Sequence, residues 1–268
     1  MMKRDLDDFK VRLDFASALN QMAAKIKGDP YPHEDSPEDL WFGTVQLDKP
    51  FQKRVTVHAE DEESKLNLNQ APEGLLSAFF KQFEDSVGPL KGSRRDYVKG
   101  ISKRRSPKRI QSLEDLLLME DFETEDLEAL RPYMTVYPES PLVNINTANP
   151  LILKSLLNFL SGDTGAKQIF LGRLEEACSL DQEKISKETR RGCFFRSRDL
   201  MPELFAEKLK LPKTPVMLSL VQEFLSQVTM DSETFRVSIK TVSNRGAMGI
   251  FRYRVGQPRP EVLWWHEE

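Results

Sequence analysis

A chain of 268 residues with 39 Lys and Arg against 42 Asp and Glu carries a net charge of −3, so as a whole it has no electrostatic case for binding nucleic acid. Hydrophobic residues make up 39% and charged residues 30%, enough to bury one large core or two modest ones under a well-hydrated surface. No run of 18 apolar residues is present to span a membrane, and no signal-peptide apolar core is found.

Residues 5–27 predict an amphipathic helix. Leu6, Phe9, Leu13, Ala16, Ala23 and Ile26 recur at three- and four-residue steps, and Phe15, Leu19 and Met22 widen the stripe. Gly28-Asp29-Pro30 ends it, and a polar connector follows to Pro37. A weak extended piece at 44–47 precedes residues 54–59, where strict alternation predicts a half-buried strand.

A repeat comes next. Lys65-Leu66-Asn67-Leu68-Asn69-Gln70-Ala71 returns 77 positions later as Leu142-Val143-Asn144-Ile145-Asn146-Thr147-Ala148. Both copies meet a proline, Pro72 or Pro150, and both open an apolar run. Aliphatic residues between asparagines suit a short extended piece entering a turn, because asparagine bonds its own backbone. Asn67, Asn69, Ala71, Asn144, Asn146 and Ala148 are therefore read as structural corners, with Asn149 capping a helix that has Pro150 at its first position.

After the first corner a helix runs through Leu75, Leu76, Phe79, Phe80 and Phe83. Residues 91–109 then hold nine Lys and Arg against Asp96, a local +8 that leaves −11 on the rest of the chain. This segment reads as a solvated, mobile loop or a contact for an acidic partner surface, since Tyr97 is its only stacking partner for a base. Short helices are predicted from Ser112 and from Thr124. The second corner repeats the order: a helix through Leu151, Leu153, Leu156, Leu157 and Leu160, then a polar excursion over 161–195. Ser197-Arg198-Asp199-Leu200 echoes Leu113-Glu114-Asp115-Leu116 at a spacing of 84, and helix-forming stretches follow at 204–209 and 215–228. Residues 63–232 are thus expected to form one helical domain in two related halves, 63–141 and 142–232.

The C-terminal part changes period. Residues 235–241 alternate, Asn244-Arg245-Gly246 forms a turn, residues 251–255 alternate again, and 261–266 close the chain. Three strands joined by short turns predict an antiparallel meander. Such a meander needs the 54–59 strand and the N-terminal helix as cover. The fold class is α+β, with residues 1–62 and 233–268 forming one domain into which the helical domain is inserted.

Little catalytic chemistry is on offer. His33, His58 and His266 sit in a connector, on the polar side of a strand and at the C-terminus, and no local motif gives any of them general-base geometry. Glycine-rich phosphate loops, nucleophile elbows and zinc-type spacings are missing. The chain reads as a non-enzyme. Asp61-Glu62-Glu63 and Glu84-Asp85 lack the alternating ligand spacing of a calcium loop, so surface charge is the expectation there. Cys178 and Cys193 lie 15 apart in a charged segment. They read either as two reduced thiols or, in an oxidising compartment, as one disulfide worth about 3 kcal/mol.

Asn-aliphatic-Asn-Thr-Ala before a helix is similar to the start of helix-hairpin-helix DNA binders. Those proteins need hairpin glycines to bring bare backbone N–H groups onto phosphate. The hairpins here, Met119-Glu120-Asp121-Phe122-Glu123 and Phe205-Ala206-Glu207-Lys208, have none. A nucleic-acid-binding protein of that class, or a minor pilin of a type IV pilus, are the alternatives to a closer resemblance. The chain resembles the minor pseudopilin K of bacterial type II secretion (general secretion pathway protein K). The stretches that carry the resemblance are Asp35-Ser36-Pro37-Glu38-Asp39-Leu40-Trp41, residues 61–71, residues 112–137, Asn144-Ile145-Asn146-Thr147-Ala148 and the ending Val262-Leu263-Trp264-Trp265-His266-Glu267.

The resemblance implies a pilin-like helix packed on an antiparallel sheet, with a large all-helical insertion of two helix-hairpin-helix-like (SAM-like) halves. It also implies a non-enzymatic subunit at the tip of the periplasmic pseudopilus, assembling with I- and J-type minor pseudopilins and touching secreted substrate, with no nucleic acid and with calcium as the one cofactor the family would suggest. The helix stripe around Phe9, Leu13 and Leu19 would then serve both the sheet and neighbouring subunits, making it the candidate partner-facing surface. The family's prepilin leader and apolar membrane helix are not among these residues. The expectation is an inner-membrane anchor upstream and a chain trimmed to its periplasmic part, with Met1 opening an expressed fragment. The family's calcium-associated acidic stretch after the first repeat helix is not matched: Phe83-Glu84-Asp85 stands there, before the basic segment.

Overall fold

The structure is a computed structural model, and it describes residues 21, 24, 43–45, 55–119, 122–184, 195–241, 246–254 and 260–267. Of the expected N-terminal helix, Gln21 and Ala24 are described and are helical; Phe9, Leu13 and Leu19 lie outside the described residues. The chain begins with β1 (Gly43–Val45), β2 (Val55–Asp61) and β3 (Leu66–Asn67). It continues through α1 (Glu73–Ser86), α2 (Arg94–Arg105), a 3-10 helix (Leu113–Leu118), α3 (Thr124–Leu130) and β4 (Met134–Thr135). Then come β5 (Val143–Asn144), α4 (Pro150–Phe159), α5 (Thr164–Lys184), a second 3-10 helix (Ser197–Leu200), α6 (Pro202–Lys208), α7 (Pro215–Leu225) and β6 (Val228–Thr229). The strands β7 (Thr234–Thr241), β8 (Gly246–Arg252) and β9 (Glu261–Glu267) end the chain. The class is α+β. The chain divides into two units, one formed by residues up to Glu62 together with those from Asp231 onward, the other by Glu63–Met230.

In the first unit the sheet order is β1-β2-β7-β8-β9, antiparallel throughout. Alternation decides its buried face. Val55, Val57 and Ala59 of β2 are buried while Thr56 is exposed, and Val57 and Ala59 pair with the buried Ile239 and Val237 of β7. The middle strand of the meander is β8, Gly246–Arg252, and not the 251–255 stretch expected from alternation. Its residues are buried on both faces except Met248, so Ala247, Gly249 and Ile250 form an apolar run with no period to read. Gly249 lies opposite Trp265 of β9. A Cβ there would come within 2.5 Å of the Trp265 ring and 2.6 Å of Phe251, so the missing side chain is what admits the indole.

Asp61 and Glu62 belong to the same unit, and Glu63 opens the next. All three are buried, at 1%, 0% and 5% exposure, which corrects the expectation of surface charge. Glu62 is held by Arg236 Nε at 2.9 Å, an ion pair with both side chains nearly excluded from water. The alternation of β2 runs on through Asp61, so the acids continue a strand and do not begin a solvated loop.

The second unit is helical and consists of two halves with the same plan. In the first, β3 leads through α1, α2, the 3-10 helix and α3 to β4, which pairs parallel with β3. In the second, β5 leads through α4, α5, the 3-10 helix, α6 and an additional α7 to β6, which pairs parallel with β5. A parallel pair requires a long crossover, and here that crossover is the whole half. Helices α1 and α4, which follow the two corners, pack against each other; Gly74 makes the room, since a Cβ there would come 3.0 Å from the Phe159 ring. One apolar cluster extends from Leu66 to Met230 through both halves.

Two expectations within this unit change. The basic segment 91–109 is not a mobile loop: most of it is α2, which buries Tyr97, Val98 and Ile101 at three- and four-residue steps. Cation-rich composition hid that narrow apolar stripe. The excursion after Leu160 is largely α5, 21 residues long.

Replacing Arg236 by Met alone should destabilise the sheet unit by about 3–5 kcal/mol, because the buried Glu62 loses the Arg236 guanidinium. Changing Glu62 and Arg236 together to Met should cost less than the single change. Urea unfolding followed by the fluorescence of Trp264 and Trp265 checks the order of the two variants.

Candidate functional site

The repeated corners are the most specific side-chain constellation in the helical unit. In the first, Asn67 Oδ1 accepts from Asn69 N–H at 3.0 Å, closing an Asx turn, and its amide donates to Pro138 O at 2.7 Å. Asn69 reaches 41 residues along the chain. Its Oδ1 accepts from Ile110 N–H at 2.9 Å and its Nδ2 donates to Ile110 O at 3.0 Å, with a further bond to Val136 O at 3.1 Å. Ala71 N–H donates to Asn67 O at 2.8 Å and completes the turn. The second corner repeats the turn and the paired long-range bonds. Asn144 Oδ1 accepts from Asn146 N–H at 3.0 Å, and Ala148 N–H donates to Asn144 O at 2.9 Å. Asn146 accepts from Phe195 N–H at 2.7 Å and donates to Phe195 O at 3.0 Å.

The second asparagine of each corner, Asn69 or Asn146, therefore behaves as a portable peptide group. It engages both backbone groups of one distant residue, as a neighbouring strand would. Ile110 and Phe195 stand just before the two 3-10 helices, and there the halves coincide again: Asp115 accepts from Gln111 N–H at 2.9 Å, and Asp199 accepts from Arg196 N–H at 2.9 Å. The Leu113–Leu116 and Ser197–Leu200 echo at a spacing of 84 marks these two helix starts. The sequence contained no signal for Ile110 or Phe195 as partners, since each contributes only its backbone.

Some of the basic segment belongs to the first corner. Arg105 donates to Leu68 O at 3.0 Å and to Ala71 O, and Arg109 donates to Val136 O at 3.1 Å and Pro138 O at 3.0 Å. Arg105 supplies donors to two carbonyls of the turn, and Arg109 adds second donors to carbonyls that Asn69 and Asn67 already bond. A buried polar junction lies at the other end of α2. Tyr97 hydroxyl donates to Asp126 Oδ2 at 2.9 Å and accepts from Gly92 N–H at 2.6 Å, while Asp126 also accepts from Lys91 N–H at 3.2 Å and caps α3.

In the second half Lys208 Nζ bonds Asp199 and lies 4.9 Å over the Phe195 ring. Burial by itself would raise the Asp199 carboxyl. The bonds from Lys208 and Arg196 N–H, with the charges of Lys208 and Arg198, outweigh it and hold the group below its ordinary value of 3.8.

No catalytic constellation emerges from the described residues, and no three of their His, Cys, Asp and Glu side chains group as metal ligands would. Glu84 and Asp85 end α1 beside the exposed Val87. His58 lies 3.4 Å from Glu60. Cys178 is in α5 and Cys193 lies outside the described residues, as does His33. No described helix is long and apolar enough to cross a membrane.

No family model and no curated protein matches the sequence. Solved structures do match. A chain of the GspK-GspI-GspJ complex from the type 2 secretion system of enterotoxigenic Escherichia coli superposes with a TM-score of 0.63 over 100% of this chain and 99% of that one, at 13% identity. The chain has that fold throughout. The resemblance read from the sequence to the type II secretion minor pseudopilin K and the likeness of fold lead to the same complex.

Asn146→Ala should lower the stability of the helical unit by about 2–4 kcal/mol, since it leaves both backbone groups of Phe195 buried and unpaired; thermal unfolding measures it. A carboxyl held below its unfolded value contributes stability that is complete above that value and is lost as pH falls through the folded one. Asp199→Asn should therefore flatten the acid limb of a plot of Tm against pH below about 4, with little change in slope near neutrality.

Proposed function

We propose that this chain is the periplasmic part of a minor pseudopilin of type II secretion. It would be a non-enzymatic subunit that assembles with I- and J-type minor pseudopilins at the pseudopilus tip and supports protein export. The observation that carries the reading is full-length likeness of fold to a chain crystallised with such partners, joined to the order of matching sequence stretches. On this reading the sheet unit is the pilin-like part, tethered to the inner membrane upstream, and the helical unit is an insertion of two helix-hairpin-helix-like halves. The tip position allows contact with secreted substrate. No cofactor is needed for such a role.

The chemistry of the corners supports an assembly role over nucleic-acid binding. Asn67, Asn69, Asn144 and Asn146 spend their amides on the chain's own backbone. No glycine stands in either hairpin to bring bare N–H groups to a phosphate.

Co-expression of the chain with the periplasmic domains of its I- and J-type counterparts should give a complex that survives size exclusion. Phe9→Asp with Leu13→Asp should abolish that complex. A chain that elutes by itself in the presence of both counterparts overturns the reading.

A further inference from the structure

Two groups of cations in α2 and its flanks differ in what they face. Arg105 and Arg109 turn inward onto corner carbonyls. Lys99, Lys103 and Arg104 are exposed, and among the described residues they have no hydrogen-bond or ion-pair partner. Among the described residues the nearby carboxylates are already engaged: Asp96 with the Ser93 hydroxyl at the start of α2, and Glu123 and Glu125 with Lys91. The three cations line an open cleft of about 510 Å³ together with Gly100, Leu118 and Met119, and Asp96 contributes to its wall. Gly100 lets the cleft be apolar at its base. A Cβ there would come within 2.2 Å of Met119 Cε, so the thioether seats directly against the helix backbone. Leu118, 70% exposed, stands at the rim.

We propose that this cleft binds an acidic peptide segment of a partner protein, with carboxylates on Lys99, Lys103 and Arg104 and an apolar side chain against Leu118 and Met119. Two observations favour a peptide over a nucleic acid. A phosphodiester chain has no apolar side chain to cover Leu118 and Met119. Tyr97, the segment's one aromatic, is buried with its hydroxyl on Asp126 and cannot stack on a base. Unpaired cations beside exposed apolar surface give charge complementarity together with area to bury. The proposal does not depend on the secretion role.

The test uses the 268-residue chain and a short fluorescein-labelled peptide of alternating Asp and Leu, read by fluorescence anisotropy at low salt. Controls are the same peptide with Asn for Asp and a single-stranded DNA oligomer of equal charge. The triple change Lys99→Glu, Lys103→Glu and Arg104→Glu should weaken the Asp/Leu peptide by about tenfold or more. Leu118→Ser, which leaves every charge in place, should weaken it about threefold. A charge-matched triple reversal at Lys81, Lys154 and Lys210 should leave it unchanged. The proposal is overturned if the Asp/Leu peptide binds no better than its Asn control, if the cleft variants bind as wild type, if the distant reversal weakens binding equally, or if the DNA oligomer binds more tightly than the peptide.

Discussion

The helical unit depends on one kind of bond made twice: an asparagine amide that takes both the N–H and the C=O of a residue far along the chain. Asn69 does this to Ile110 and Asn146 to Phe195. A buried peptide group must find partners for both its ends, and a segment that leaves a two-residue strand and turns at once has no sheet to supply them. The amide replaces the missing strand. Because Asn67 and Asn144 first close an Asx turn onto Asn69 N–H and Asn146 N–H, the donor and acceptor are held in position before the long-range bond is made. Each bond fixes the start of a helix against the segment that leads into the next 3-10 helix. The parallel pairs β3-β4 and β5-β6 can then close the halves.

Around this shared backbone plan the two halves use different side chains. The first half satisfies its remaining corner carbonyls with Arg105 and Arg109 and buries Tyr97 against Asp126. The second uses Lys208 on Asp199, stacks Phe195 on Phe205 with centroids 4.9 Å apart, and adds α7 before its closing strand. A fold whose recurring requirement is two asparagines and a backbone partner constrains few residue identities. That is consistent with a likeness to a solved structure extending over the whole chain at 13% identity.

The same division explains the basic segment. A cluster of nine cations in an acidic protein looks like a single feature, yet the helix sorts it by face. Positions 105 and 109 donate to carbonyls of the first corner and its closing segment, whereas 99, 103 and 104 meet solvent beside Met119 and Leu118. Charge in the first group serves the fold, and charge in the second is open to a partner.

What the sequence by itself determined were features written in short windows. The twin corners, the Asn149 cap with Pro150 behind it, the β2 alternation and the apolar stripes of α1 and α4 all rest on neighbours within a few residues. Turn chemistry and periodicity act at that range. Tertiary structure alone decided which peptide each asparagine would take, since Ile110 and Phe195 offer only backbone and lie 41 and 49 residues away. It also decided that β8 covers Gly246–Arg252, because burial on both faces erases the alternation by which a strand is recognised. Asp61-Glu62-Glu63 looked like solvated charge until Arg236, 174 residues beyond Glu62, supplied a counter-ion in the next strand. The corners were legible because asparagine bonds its own backbone; their long-range partners were not, because a backbone amide has no side-chain signature in the sequence.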